Sequence, residues 1–146
     1  MKRVVTANDD HGRSRILIEE AVSPGGLVWE TRPGQPMGIE PLTDFGDLMF
    51  PKGGLHARYI EIPKDELLEE YLRRGIPGHD DAGFHRTGTL DFLVVLEGTL
   101  RLILDEGEAI LQSGDVVVQR DTRHAWRAGD EAARCFVVIS RLGEAE

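Results

Sequence analysis

Cysteine is nearly absent from this chain: Cys135 is the single one in 146 residues, which excludes an internal disulfide framework. Its setting in ARCFVVIS, among apolar and β-branched neighbours, predicts a packed strand residue rather than a catalytic thiol. No apolar run reaches the length needed to cross a bilayer, and no positively charged, apolar leader follows Met1. The expectation is a cytoplasmic protein with no membrane partner. Basic runs are lacking too. The chain carries 17 Lys and Arg against 26 Asp and Glu, a formal net charge of -9. Without clustered positive charge there is no footprint for nucleic acid or for an acidic lipid surface.

At 146 residues the chain fits one domain and can bury a real core. Residues 1–54 read as N-terminal strands and a long loop, and 55–141 as the core with a helix near 64–74. Apolar residues in Arg3 to Ala7 and Arg13 to Ala21 flank Asn8-Asp9-Asp10-His11-Gly12, which predicts a hairpin with His11 in a solvated turn. Leu27 to Thr31 is a third strand, and its Trp29 faces either the interior or a subunit contact. From Pro33 to Gly54 no period supports an element. Met37, Leu42, Phe45, Leu48, Met49 and Phe50 in that loop argue for packing rather than disorder, and loops of this length are functional or ordered by a neighbouring chain. Hairpin edges and this apolar loop together predict a homodimer.

Leu55 to Ile62 alternates as a strand. In PKDELLEEYLRRG, Leu67, Leu68, Tyr71 and Leu72 form one face of a helix, with acids in its first turn and Arg73-Arg74 in its last. Gly75 and Pro77 end it. This helix is expected to cover one end of the fold, a mobile lid being the sharper alternative. The loop IPGHDDAG then brings His79 near whatever site the next segment builds, as a spare ligand, substrate contact or acid/base group.

That next segment, residues 83–126, carries the chemistry. Leu90 to Leu96 and Leu100 to Leu104 are short strands by pattern, punctuated at Glu97-Gly98, Asp105-Glu106-Gly107 and Ser113-Gly114-Asp115. Side chains alternate faces along a strand, so His85, Thr87, Thr89, Asp91, Leu93 and Val95 would share one face of a continuous extended segment. If that face is interior, Asp91 needs a metal, a hydrogen bond or a proton. His124 opens a later strand, and parity places Trp126 beside it, as the wall of a pocket for a small organic molecule or as a core residue. Arg134 to Ile139 closes the sheet.

The spacing of Gly83, His85, Asp91 and Gly98, followed by Gly114, Asp115 and His124, resembles the two signature motifs of the cupins. The likeness is nearest to small single-domain bacterial and fungal cupins of the conserved-barrel type, through GFHRTGTLDFLVVLEG and GDVVVQRDTRHAW. It implies one all-β domain over residues 1–146, a jelly-roll barrel of two antiparallel sheets with one short helix. The family's first motif supplies two histidines and a glutamate to a metal, and the second one more histidine; by position these fall on His85, Thr87, Asp91 and His124. The chain departs from that pattern at Thr87, where a histidine is usual, and at Asp91, one methylene shorter than glutamate. Asp121 stands where a glycine is usual, the proline before His124 is missing, and the second motif is one residue shorter.

The resemblance implies a divalent ion (Zn, Fe, Mn or Ni) on His85, Asp91 and His124, which would also be the catalytic residues. Thr87, Leu93, Trp126 and His79 are the expected substrate contacts. The expected activity is a metal-dependent lyase, isomerase, cyclase or decarboxylase acting on an organic metabolite. A non-haem iron dioxygenase is the second enzyme reading. The rival from another class is a metal-free cupin that binds a ligand without catalysis, with Asp91 answered by a donor such as an arginine.

Overall fold

Ten strands and one helix form within residues 1–34 and 52–141, the part of the chain that the computed structural model describes. The expectations for Met37 to Phe50 lie outside the described residues. The first two strands, β1 (Lys2–Asn8) and β2 (Ser14–Ala21), pair only with each other. Their turn is built by Asp9, whose Oδ1 accepts the backbone N–H groups of His11 and Arg13, both at 2.9 Å. His11 is exposed there, as its neighbours predict.

The larger sheet has five antiparallel strands in the order β3 (Leu27–Thr31), β4 (Leu55–Ile62), β10 (Ala133–Arg141), β5 (Thr89–Glu97) and β8 (Val116–Arg120). The smaller has three, in the order β7 (Glu108–Leu111), β6 (Leu100–Leu104) and β9 (His124–Arg127). Two facing sheets match the expected barrel; the hairpin adds a third, separate sheet. It touches the larger one through Arg3, whose Nη1 donates to Val28 O at 2.8 Å.

The inward residues of both sheets make one core, in which Val95, Leu100, Ala133 and Cys135 have no exposed surface. Fully burying a side chain of the Val or Leu kind contributes about 1.5–3 kcal/mol. Cys135 is packed as predicted, and burial pushes its thiol up to about 11, far from a reactive thiolate. The passage from β5 to β6 needs glycine at 98: its φ is 82°, and a Cβ would stand 3.0 Å from the carbonyl oxygen of Ala132.

The helix, α1 (Asp65–Arg74), is pinned at its start to the turn after β9. Asp65 N donates to Gly129 O at 2.8 Å, and Asp65 Oδ1 accepts from Ala128 N and Gly129 N at 3.0 and 3.1 Å. Leu72 is the buried residue of its apolar face. Tyr71, expected on that face, is 42% exposed. The helix buries one edge of the predicted stripe because it lies against the 75–85 loop, where a Cβ on Gly83 would come within 3.3 Å of Leu72 Cδ1.

Candidate functional site

The inner face of the five-stranded sheet is organised in rows, since residues opposite one another on neighbouring strands point the same way. One row, across β3, β4, β10, β5 and β8, holds Leu27, Arg58, Val137, Leu93 and Val117. The next row, two residues along on β4, β10, β5 and β8 and three along on the bulged β3, holds Glu30, His56, Ile139, Asp91 and Gln119. Glu30, His56 and Gln119 are 4–5% exposed, so this polar row is an interior feature. Against its β5–β8 end opens a cavity of about 270 Å³.

Every site residue expected from the sequence lines that one cavity: His85, Asp91 and His124, together with His79, Thr87, Leu93 and Trp126. The route by which they meet differs from the expected one. Strand β5 begins only at Thr89, because Gly88 takes φ 67° and turns the chain out of the ladder. His85 and Thr87 therefore reach the cavity from an arm ahead of the strand. That arm is fixed by a two-residue bridge in which His85 N donates to His124 O at 2.9 Å and His124 N to His85 O at 3.0 Å.

The bridge makes neighbours of the histidines. The His85 ring centroid lies 4.3 Å from that of His124, and the His79 ring stacks on His85 at 4.0 Å. Trp126 meets His124 edge-on at 5.3 Å. Each imidazole has Nδ1 near the carbonyl of the residue two before it: Pro77 O at 3.1 Å for His79, Gly83 O at 3.2 Å for His85 and Thr122 O at 2.8 Å for His124. A carbonyl only accepts, so the pairing places the proton on Nδ1 and leaves the Nε2 lone pair as the basic site of each neutral ring. Burial holds His85 and His124 below the ordinary imidazole value, His85 down to about 4, with the neighbouring His124 adding to the effect on His85.

Asp91 is the carboxylate of this group. Its Oδ1 is buried without a hydrogen-bond partner. Desolvation raises its pKa, while the Thr89 hydroxyl and the nearby His124 pull the other way. The donor it finds is thus a threonine, in place of the arginine anticipated for a simple binder. Thr87 is engaged as well, its hydroxyl lying 2.6 Å from that of Thr89.

Gln119 and Arg58 also line the cavity and escaped the sequence reading. Gln119 Nε2 donates to the Thr122 hydroxyl and carbonyl, which ties the wall to the turn carrying His124. Both could have been found by parity: Gln119 shares a face with Val117 in VVVQR, and Arg58 shares one with His56, Ile60 and Ile62 in HARYIEI.

The donor types suit a divalent ion, with two Nε2 lone pairs and an orphaned carboxylate oxygen. Their placement does not close a centre. Among the described residues no group of three or more His, Cys, Asp or Glu side chains is gathered so as to hold a metal ion. The hydroxyl at the usual position of the second histidine is committed to Thr89.

These features define a small β-barrel with a histidine-rimmed, largely apolar interior cavity. The family model of the cupin domain matches residues 74–139, and this stretch of the chain is a cupin domain. It is 45% identical over 135 residues to the cupin-domain-containing oxidoreductase fogC of Aspergillus ruber, an alignment covering 85% of this chain and 62% of that protein. It is 57% identical over 69 residues to phomopsin biosynthesis cluster protein C' of Diaporthe leptostromiformis, covering 47% and 35% of the two. The chain thus spans about a third of one relative and under two thirds of the other. Among solved structures, a cupin-2 domain containing protein from Shewanella frigidimarina aligns at 16% identity with a TM-score of 0.42, over 60% of this chain and 70% of that one. Nothing about chemistry follows from so loose a likeness. No helix among the described residues is long and apolar enough to cross a membrane.

Proposed function

We propose that this chain is a cupin-type enzyme that moves protons on a compact, mostly apolar metabolite bearing a carbonyl or hydroxyl group. The observation that carries the reading is that Asp91, whose Oδ1 is buried without a partner, lines the same cavity as two histidines whose Nδ1 pairing leaves Nε2 as the basic atom. A folded chain with no use for that oxygen would have lost it, since burying a polar atom without a partner costs about 1–3 kcal/mol. The name of the fogC relative, an oxidoreductase, supports an enzyme over a passive binder.

The residues divide the work as follows. Leu93, Val137, Ile139 and Trp126 hold the apolar body of the substrate and exclude water. A histidine Nε2 takes the proton from a carbon next to a carbonyl, breaking C–H and forming N–H, while the protonated form of Asp91, favoured by its burial, gives a proton to the carbonyl oxygen. Return of the histidine's proton to another carbon, with the oxygen's proton going back to Asp91, completes an isomerisation. Departure of a leaving group from the next carbon, protonated by that histidine while the oxygen returns its proton to Asp91, completes an elimination. Both belong to the lyase, isomerase and cyclase classes expected from the sequence.

The metal-assisted version is the second reading, supported by the donor types. His85, Asp91 and His124, which are not gathered closely enough here, would have to draw together to hold the ion, and it would supply Lewis-acid chemistry at a substrate oxygen. One experiment addresses both: deuterium uptake from D2O into a panel of cyclic and acyclic ketones, followed by NMR, with and without added Zn, Fe, Mn or Ni. Wild type should label at least one ketone more than 100-fold faster than His124→Ala without metal. Labelling that appears only with metal favours the second reading. No labelling by a folded protein under either condition contradicts both.

A further inference from the structure

Asp121 heads the turn from β8 to β9, and it is the one non-glycine residue with positive φ, 50°, among the described residues. An L-residue enters that region at a cost, and a strained backbone persists only where surrounding contacts over-determine it. The contacts here are five hydrogen bonds, four to the arm between His85 and β5 and one to Thr89, the first residue of β5. Asp121 N donates to Thr89 O at 2.8 Å, and Gly88 N donates to Asp121 Oδ1 at 2.9 Å. Arg86 Nε donates to both Asp121 O and Oδ1 at 2.9 Å, and Arg86 Nη2 to Oδ2 at 2.7 Å.

Those partners begin one residue after His85, and Asp121 itself lies three residues before His124. The arm and the turn therefore cross twice, once at the His85–His124 bridge and once at Asp121. A single bridge would leave the arm free to pivot about His85; the second crossing fixes the angle at which the two rings meet. Arg86 is largely exposed, so its ion pair adds little in water. The grip lies in the carboxylate and backbone of Asp121 on the backbone of Gly88 and Thr89.

We infer that Asp121 is a positioning residue that holds the His85 ring against that of His124. The inference deepens the proton-transfer reading and rests on it for its purpose, while its geometry is independent. It also accounts for an acidic residue where cupins usually carry a glycine: the φ is the glycine's, and the side chain is added for the clamp.

The test is a ring-to-ring NOE between His85 and His124 in histidine-labelled protein, which the 4.3 Å centroid separation makes observable. Wild type and Asp121→Asn, whose amide oxygen still accepts from Gly88, should show the cross-peak. Arg86→Met, which removes the exposed ion pair and the Nε bond to Asp121 O but leaves the bonds to Gly88 and Thr89, should show it too. Asp121→Gly, free of backbone strain, should melt within a few degrees of wild type and lose it. An undiminished cross-peak in folded Asp121→Gly overturns the inference. Should that variant fail to fold, Asp121→Ala is read the same way, and failure of both to fold assigns Asp121 to folding and also overturns it. Because no substrate is involved, a wild type that labels no ketone yet gives this cross-peak pattern would sink the proton-transfer reading and leave the clamp standing.

Discussion

Two adjacent rows on the same sheet face differ in make-up. In the first, Leu27, Val137, Leu93 and Val117 fill space around one cation, Arg58. One step along the strands, Glu30, His56, Asp91 and Gln119 bring charge and hydrogen-bonding groups into the interior. Glu30 Oε1 is met by Arg32 at 2.7 Å and lies 3.7 Å from His56 Nε2, so the carboxylate at that end of the row is answered within the protein. Asp91, at the other end, keeps an oxygen unanswered. The difference separates burial that makes the fold from burial that the fold tolerates for chemistry.

The comparison breaks if both rows respond alike to substitution. The largest effect is expected in the apolar row. Leu93→Ala removes a side chain that is 3% exposed and should cost about 2–5 kcal/mol in denaturant unfolding. A loss below about 1 kcal/mol would mean that the cavity beside it already leaves Leu93 loosely held.

Trp126, on β9 of the smaller sheet, tests the border between core and cavity. It lines the cavity and also packs against the core cluster. Since it is only half buried, Trp126→Ala should cost less, about 1–3 kcal/mol, and should lower the ketone-labelling rate at least tenfold in the folded protein. Full labelling with a large stability loss would assign Trp126 to the core alone.

Acid sharpens the comparison further. The folded His85 titrates near 4, below its ordinary value of 6.5, so between those values the unfolded chain binds more protons at this site. The stability it contributes is present above about pH 6.5 and is lost as pH falls toward 4. Replacing His85 by Gln should flatten that limb of the melting temperature against pH. An unchanged limb would assign the acid sensitivity to other groups.

Most of the barrel was legible because its strands obey one rule at a time. Leu55 to Ile62 and Leu100 to Leu104 appear with the predicted bounds, since alternation and flanking turns agree there. The cavity residues were legible through the cupin resemblance, which located His85, Asp91 and His124 before any contact could be known. What parity could not supply was the break at Gly88, where a left-handed residue ends the ladder and hands the arm to Asp121. The stacking of His79 on His85 depends on where a loop is pinned, by Arg123 donating to Asp80 at 2.8 Å and covering Phe84, and no periodicity encodes such a contact. Gln119 was hidden for the opposite reason: its strand reads as core, and one polar residue at an inward position looks like noise until its neighbour across the sheet is known to be Asp91.

The smallest expected effect tests the central claim most directly. If the Asp91 carboxylate is held in the interior for chemistry and contributes nothing to the fold, Asp91→Leu should melt at or above the wild-type temperature at pH 7. The leucine removes a buried carboxyl oxygen that has no partner, and its extra bulk enters a cavity that has room for it. A melting temperature more than about 5 °C below wild type, a shift that corresponds to about 1–2 kcal/mol, would show that Asp91 holds the barrel together and would contradict the account.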